Sequence, residues 1–226
     1  MAQTGTTDPL VLDAGCGTGS FATSLAAEGV RVVAVDAEMW PPDHDTGVES
    51  DSGPASAGAT TALRPQFARA NVTSLPFAAD TFDVLLLLDV LEHVEDEQAA
   101  LAEAGRVLRP GGSLLLTVPA LKRLWSQRDE LAGHVRRYEL PELNDALALA
   151  GFGVERIGYW AATTLPLVTA SRWLSRRGTR LLAAEERPPV ALSGLLGPVL
   201  RFDVDRALGS GWRSGSSLFA VGRRAS

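Results

Sequence analysis

The sequence predicts one α/β domain built on a mostly parallel, doubly wound β-sheet with helices on both faces. Short apolar runs with the character of buried strands alternate with helical segments through most of the chain, an order typical of parallel sheets. The first of these runs leads into a cluster of glycines and then into a helix. With 226 residues, of which 46% are hydrophobic, the chain is long enough for one sizeable core and too short for two full domains.

The first half of the chain supplies four predicted strands and one helix. The strands are short apolar runs that end at polar or turn-forming residues, at positions 9–14, 30–35, 67–70 and 82–88. The helix covers residues 20–28, where Phe21, Leu25 and Ala26 are the apolar positions and Gly29 provides the stop.

The second half continues the alternation with two helices and three strands. The clearest helix covers residues 94–108, where Val94, Leu101 and Leu108 recur at a spacing of seven before the stop at residues 109–112. A second helix is predicted over residues 141–150 and ends at Gly151. Strands are predicted at residues 113–118, 154–159 and 217–221, and the last two are expected to close the sheet.

Two segments interrupt this alternation. Residues 41–65 are rich in Gly, Ser, Pro, Ala and Thr, a composition that predicts a flexible insert within the single domain. Residues 160–211 mix apolar side chains with arginines ahead of the last strand. This second segment predicts a helical cap or an interface insertion, with burial in a homodimer as the alternative use of its apolar residues.

Charge and composition exclude several classes of function. The formal net charge of -6 argues against a global basic surface, so no nucleic-acid partner is expected. Cys16 is the single cysteine, so no internal disulfide forms and a reducing compartment is favoured. No apolar run reaches the roughly 18 residues of a membrane span, and the start of the chain lacks the pattern of a signal peptide. We therefore expect a cytoplasmic protein without a membrane span.

The sharpest local signal is the glycine turn after the first strand, with the sequence VLDAGCGTG over residues 11–19. Its glycines permit unusual backbone dihedral angles and let a ligand approach the backbone closely. A dinucleotide fingerprint requires glycine or alanine where this chain has Ser20, so a nicotinamide cofactor fits poorly. Asp36, directly after the second strand, fits a carboxylate that accepts hydrogen bonds from both hydroxyls of a ribose.

In this order of motifs the chain resembles the class I S-adenosylmethionine-dependent methyltransferases of the small-molecule type. The resemblance covers about residues 10–153, and it is carried by the glycine turn, Asp36 and the later motifs LPF at 75–77, FDV at 82–84, LEHV at 91–94 and RVLRPGG at 106–112. It implies a Rossmann-like, seven-stranded sheet with an antiparallel last strand, and S-adenosylmethionine as the cofactor. It leaves the acceptor of the methyl group open.

The resemblance also implies which residues bind the cofactor. They lie at four points where predicted strands end: Asp13, Gly15, Cys16, Gly17, Gly19, Asp36, Asn71, Val72 and Asp89. By resemblance, Asp13 holds the methionine amino group above the turn glycines, and Asp36 binds the ribose hydroxyls. Asn71 and the residue after it take the adenine position, where the family usually has Asp, and an amide still offers a donor and an acceptor there. Asp89 stands where the methionine tail passes.

A second cluster of polar residues follows the fifth strand, at the edge where open α/β sheets bind ligands. Its candidates for contact with the acceptor are Trp125, His134, Arg136, Arg137 and Tyr138. His134 is a candidate base, Tyr138 is a candidate phenol donor, and the arginines are candidates for holding an anionic group. The alternative is that His134 and Tyr138 pack the pocket closed while the arginines pair with Asp129 and Glu142.

Neither a cysteine nucleophile nor a metal site is expected. No histidine motif surrounds Cys16, which is interpreted as a small packing residue of the cofactor turn. His44, His93 and His134 are the three imidazoles of the chain, and their spacing is not that of a metal site. For His93, a packing role at a helix start is at least as well supported as a catalytic one.

The sequence thus predicts an enzyme that transfers a methyl group from S-adenosylmethionine to a small molecule, with oxygen as the favoured acceptor atom and His134 as the base. One alternative is a cofactor-binding partner subunit that no longer methylates. The short segment before the first strand, and an insert where the family has a helix, keep that alternative open. A second alternative is an enzyme that uses the same fold for chemistry other than methyl transfer.

Overall fold

A computed structural model describes residues 8–38, 63–176, 190–209 and 211–225 of the chain. The strands of this part are β1 (Leu10–Ala14), β2 (Arg31–Asp36), β3 (Gln66–Arg69), β4 (Phe82–Leu88), β5 (Leu108–Pro119), β6 (Phe152–Trp160) and β7 (Ser217–Arg224). The helices are α1 (Ser20–Ala27), α2 (Glu97–Val107), α3 (Gln127–Leu131), α4 (Leu140–Leu149), α5 (Leu165–Arg176) and α6 (Val190–Leu208). Two short 3-10 turns lie at Leu91–His93 and Lys122–Leu124.

The strands form one seven-stranded sheet in the order β3-β2-β1-β4-β5-β7-β6. Every neighbouring pair from β3 to β5 is parallel, whereas β7 runs antiparallel to both β5 and β6. These pairings confirm the predicted mostly parallel sheet with an antiparallel last strand. Because β6 therefore runs in the same direction as β5, the carboxyl ends of β1, β2, β4, β5 and β6 meet at one edge of the sheet.

Alternating side chains of the strands bury both faces of the sheet. Along β4, Leu85 and Leu87 belong to the larger core cluster with helices α2 and α4, whereas Leu86 belongs to a smaller cluster on the opposite face. Val11 and Leu12 divide in the same way along β1. Successive side chains of a strand point to opposite faces, so a continuous apolar run is what a sheet covered on both sides requires.

The clearest predicted helix begins later than its apolar spacing indicates. Residues 91–93 form a 3-10 turn, and α2 starts only at Glu97, because the Asp96 carboxylate caps it by accepting a 3.0 Å hydrogen bond from Ala99 N. Such a cap satisfies a backbone donor that has no partner within the helix. The same helix ends at Val107, and the residues expected to stop it already belong to β5.

Between β6 and β7 the described residues include helices α5 and α6, and α6 is hydrogen-bonded to the chain just after β6. Asp203 of α6 is fully buried, and its carboxylate accepts 3.3 Å hydrogen bonds from Thr163 N, three residues after β6. The indole Nε1 of Trp212 donates to the Asp203 carbonyl at 3.2 Å. The C-terminal half of α6 is therefore held at the carboxyl edge of the sheet. Most of the predicted insert at residues 41–65 lies outside the described residues, as does the side chain of Trp173.

Within the described residues, no helix combines the length and the apolar character that a transmembrane span requires.

We predict that Asp203→Ala lowers the free energy of unfolding by about 1–3 kcal/mol, because hydrogen bonds to a buried carboxylate are lost. Asp205→Ala, at an exposed position of the same helix, is the matched control and should change that free energy by less than about 0.5 kcal/mol. Urea denaturation of the three proteins measures both values. Equal stability of the two variants would contradict a stabilising role of the hydrogen bonds between Asp203 and Thr163.

Candidate functional site

The glycine turn after β1 is held against the end of β2 by its backbone. Gly15 N and Cys16 N both donate to the Val35 carbonyl, at 2.7 and 3.0 Å. Gly15 has a φ of +84°, and a Cβ on it would lie 2.4 Å from Val90 Cγ2. Any other residue would therefore be strained there and would displace the Val90 side chain, which follows β4. Gly17 is the opposite case, since a Cβ on it would meet no atom within 4 Å. The turn is thus closed on its inner side and open toward the space where a ligand would lie.

Asp36 at the end of β2 bonds directly to this turn. Its Oδ2 accepts a 2.8 Å hydrogen bond from Gly17 N, and its Oδ1 accepts one of 3.0 Å from Glu38 N. The carboxylate is half-buried. It therefore stands beside the open side of the turn, where a carboxylate that binds ribose hydroxyls is expected.

Asp13 carries a buried oxygen that lacks a partner. The residue is 2% exposed, and its Oδ2 has no hydrogen-bond partner among the described residues. Burial, followed by the nearby charge of Asp36, raises the pKa of the Asp13 carboxyl to about 6. An unpaired buried carboxylate is costly, and a bound ammonium group would relieve that cost. This geometry fits the methionine amino group that the resemblance assigns to Asp13.

Two more of the predicted cofactor residues, Asp89 and Asn71, follow strands at the same edge. Asp89 follows β4 with a left-handed φ of +54° and accepts a hydrogen bond from Thr117 Oγ1 at 3.1 Å. The Oδ1 of Asn71 accepts hydrogen bonds from Thr73 N and Oγ1, at 3.0 and 2.9 Å, so it shapes its own turn. A left-handed backbone at a residue other than glycine is uncommon and is frequently found at functional sites.

Three members of this group have other surroundings. Val72 packs against the larger core cluster, and Gly19, with a φ of +68°, stands directly before α1. The Cys16 side chain packs against the smaller cluster, and burial raises the pKa of its thiol to about 12. A thiol of such high pKa is protonated at neutral pH, which supports the packing role predicted for Cys16.

The second cluster is organised by a buried carboxylate, Asp129. Arg137 Nε donates to Asp129 Oδ1 at 2.7 Å, and His134 Nδ1 lies 3.2 Å from the same oxygen. Ser126 N donates to the other oxygen at 2.8 Å. Arg137 also donates to the Ala120 carbonyl at the end of β5, at 2.8 Å. The carboxylate thereby joins α3, the following loop and the sheet.

The other predicted acceptor residues are engaged with the protein itself. Tyr138 is 3% exposed and its hydroxyl donates to Glu97 Oε2 at 2.6 Å; burial, followed by Glu97, raises its pKa. Arg136 forms an ion pair of 3.1 Å with Glu97. The indole of Trp125 donates to Glu130 at 3.3 Å. These contacts favour the packing alternative for Tyr138 and leave the two arginines paired within the protein, Arg137 with the predicted Asp129.

His134 is the member of this cluster best placed for chemistry. Its side chain is half-buried, and its ring meets that of His93 edge to face, with ring centres 4.8 Å apart. Burial lowers the pKa of His134, and His93 and Arg137 lower it further, against the opposing effect of Asp129. The ring is therefore neutral at pH 7 and able to accept a proton.

Sequence reasoning missed two buried polar groups near this edge. Glu92 is 1% exposed, its Oε2 has no partner among the described residues, and burial raises its pKa to about 8. The buried Nε1 of Trp160, at the end of β6, likewise lacks a partner there. Moreover, ligand-type atoms of Glu92, His93 and His134 lie within 4.8 Å of one another, although the spacing of the histidines in the sequence argued against a metal site. His44 lies outside the described residues.

Comparison with known proteins gives consistent results. A family profile described as a methyltransferase domain matches residues 1–157 of the chain. A probable S-adenosylmethionine-dependent methyltransferase of Mycolicibacterium smegmatis is 31% identical over 147 residues, which make up 64% of this chain and 52% of that protein. A ubiquinone biosynthesis O-methyltransferase of Rhizobium etli is 30% identical over 190 residues, or 82% of this chain and 59% of that protein. The chain thus spans about half the length of these curated relatives.

Among solved structures, the YcgJ protein of Bacillus subtilis superposes with a TM-score of 0.59. The superposition covers 97% of this chain and 93% of that protein at 18% identity. At this identity the likeness establishes the fold alone.

Asp13 generates a prediction about stability and pH. Its folded pKa of about 6 lies above the ordinary value of 3.8, so between these values the folded protein keeps a proton that the unfolded chain has released. Stability that is present below pH 3.8 is therefore lost as the pH rises through 6. Asp13→Asn should lack this loss. As the pH rises from 3.8 through 6, the free energy of unfolding of the variant should therefore rise by about 2–3 kcal/mol relative to that of wild type.

Urea denaturation across this pH range, without added ligand, tests the Asp13 prediction. Asp145→Asn, at an exposed position of α4, is the control for the change of one carboxylate to an amide. If the difference between Asp13→Asn and wild type is independent of pH, the Asp13 carboxyl does not carry the raised pKa.

Proposed function

Because the chain belongs to the class I S-adenosylmethionine-dependent methyltransferases, we propose that it transfers the methyl group of this cofactor to a hydroxyl oxygen of a small molecule. S-adenosylmethionine would supply a methyl group on a positively charged sulfur. The acceptor oxygen would form a bond to the methyl carbon while the carbon–sulfur bond breaks, so that the rest of the cofactor leaves as a neutral thioether. The residues of the chain bind and orient the two molecules and remove the acceptor proton. Holding the reacting atoms about 3–3.5 Å apart accounts for much of the acceleration in such reactions.

The orphaned carboxylate oxygen of Asp13, beside the open glycine turn, is the observation that carries the proposal. Its buried negative charge is matched by the ammonium group of the methionine part. Asp36, already bonded to Gly17 N, keeps lone pairs for the ribose hydroxyls, since each carboxylate oxygen accepts more than one hydrogen bond. The backbone beyond Gly17 leaves room for the cofactor to lie against the turn.

On the acceptor side, we propose His134 as the base. The carboxylate of Asp129 only accepts hydrogen bonds, so His134 donates Nδ1–H to it and keeps the Nε2 lone pair. Burial holds the ring neutral, which is the form that takes a proton. A hydroxyl acceptor needs such a base, and the O-methyltransferase name of the Rhizobium etli relative agrees with oxygen as the acceptor atom.

We propose that residues 160–211 and 125–138 together form the acceptor pocket. Both segments leave the sheet at its carboxyl edge, after β6 and β5, and the first is tied down there by Asp203. The indole N–H of Trp160, which has no partner within the part of the chain that the structure describes, offers a hydrogen-bond donor to a polar acceptor molecule. Segments of this kind carry specificity because a rigid scaffold holds them close to the reacting groups.

The cofactor site is tested with Asp36. Asp36→Ala should weaken S-adenosylmethionine binding by about 1.5–3 kcal/mol, the usual contribution of hydrogen bonds to a charged group. Asp36→Asn keeps one acceptor oxygen and should lose less. Calorimetric titration of the folded variants measures both affinities, and Glu38→Gln serves as a nearby exposed control. Unchanged affinity in both Asp36 variants would place the ribose site elsewhere.

The base is tested with His134. His134→Ala should lower kcat by about 100-fold or more and leave S-adenosylmethionine affinity near wild type. Transfer of a labelled methyl group to a panel of small hydroxylated compounds gives kcat and KM. In wild type, kcat/KM should rise with pH through a pKa below 6.5, because burial favours the neutral ring.

Three outcomes separate the rival functions. Normal turnover by both His134→Ala and His134→Gln would remove His134 from the mechanism. Cofactor binding without transfer to any hydroxyl, amine or thiol compound would favour the partner subunit that no longer methylates. Transfer confined to amines would refute oxygen as the acceptor atom.

A further inference from the structure

We propose that Glu92, His93 and His134 form a binding site for one divalent first-row transition metal ion, of the zinc or iron type. The three side chains come from the 3-10 turn after β4 and from the loop after α3, and they meet at the carboxyl edge of the sheet. Their ligand-type atoms lie within 4.8 Å of one another. Each bond from a metal to such ligands is about 2.0–2.2 Å long. Side-chain rotations that move the ligand atoms by roughly an ångström would therefore bring all three within bonding distance of one ion.

The hydrogen bonds of the two imidazoles prepare each ring for a metal. His134 Nδ1 faces the Asp129 carboxylate at 3.2 Å, and His93 Nδ1 faces the Gly133 carbonyl at 3.3 Å. Both oxygens only accept, so each ring donates Nδ1–H and presents the lone pair of Nε2. Metal-binding histidines usually have such an oxygen behind the other ring nitrogen, which fixes the ring and makes it a stronger ligand.

The burial of Glu92 gives support for a metal site that is independent of the two imidazoles. Glu92 is 1% exposed, and its Oε2 is one of the few buried side-chain atoms in the described residues without a hydrogen-bond partner. A buried carboxyl oxygen without a partner is destabilising, and a bound cation would supply the missing partner.

The composition of the site selects the kind of metal. Two imidazole nitrogens with one carboxylate suit zinc, iron, cobalt and nickel, whereas magnesium and calcium prefer sites built from oxygens alone. Three protein ligands also leave at least one coordination position for water or another molecule, as in catalytic zinc sites. The exposed side of His93 gives this position access from solvent.

The consequence for the reaction rests on the proposed function. A hydroxyl acceptor that takes the open position would be acidified by the metal, because a bound divalent ion lowers the pKa of an oxygen ligand. His134 Nε2 is then a ligand, so the two forms of the protein remove the acceptor proton in different ways. The metal-free form uses the imidazole as the base, and the metal-loaded form delivers an ionised acceptor oxygen.

Metal binding is tested without reference to activity. The untagged full chain, stripped with a chelator and exchanged into chelator-free buffer, is titrated with cobalt(II) chloride and separately with zinc chloride. We expect one cobalt ion per chain, visible absorption bands of a nitrogen- and oxygen-ligated site, and competition by zinc. His93→Gln changes an exposed ligand and Glu92→Gln a buried one, and each should weaken binding by about 10-fold or more.

Glu95→Gln is the matched control, because it removes one exposed carboxylate close to the site and should bind cobalt as wild type does. His93→Gln keeps the test valid if Glu92→Gln folds poorly. Absence of a one-to-one cobalt complex in wild type overturns the proposal, as does unchanged affinity in both His93→Gln and Glu92→Gln.

The metal site and the methyl transfer fail separately. If the stripped enzyme binds S-adenosylmethionine and transfers its methyl group but binds no cobalt, the metal site is refuted and the proposed function stands. If cobalt binds as expected but S-adenosylmethionine does not, the proposed function is refuted and the metal site stands.

Discussion

The acceptor side of the site depends on one buried carboxylate, that of Asp129. It is 1% exposed, and it accepts hydrogen bonds from Arg137, His134 and Ser126. Through Arg137 it reaches the carbonyl of Ala120 at the end of β5, so three consecutive pieces of chain are held in one arrangement. A buried charge that loses its partners is strongly destabilising, and this part of the protein therefore holds together or comes apart as a unit. The hydrogen bond from His134 to this carboxylate also fixes the orientation of the His134 ring.

The cofactor side is built on the opposite principle. Its glycine turn is held by backbone hydrogen bonds to Val35, and the buried Asp13 carboxyl keeps one oxygen that has no hydrogen-bond partner among the described residues. One half of the site is satisfied by the protein itself and is rigid before any molecule binds. The other half, in the function proposed above, would be completed by its ligand, which would then stabilise the fold by binding the folded form alone.

The sequence predicted the parts of the molecule that local physics determines. Apolar runs located the seven strands of the described sheet, because a sheet buried on both faces permits few polar residues. The predicted start of α2 was wrong because the capping side chain of Asp96, and not the spacing of apolar residues, determines where the helix begins. The burial of Glu92, and its approach to two histidines, follow from a 3-10 turn meeting a loop far along the chain. No spacing within the sequence encodes such a meeting.

The position of β7 has a consequence for how the chain acquires its structure during synthesis. Residues 217–224 come last among the strands, yet they lie between β5 and β6 in the interior of the sheet. Until the ribosome has released them, β5 and β6 have no neighbour on their facing edges, and their unpaired backbone groups are open to association with other chains. Strands β1 to β5 form adjacent parallel pairs and are complete long before that. The nascent chain thus passes through a stage in which the strand edges that β7 later covers are exposed, and such a stage is prone to aggregation.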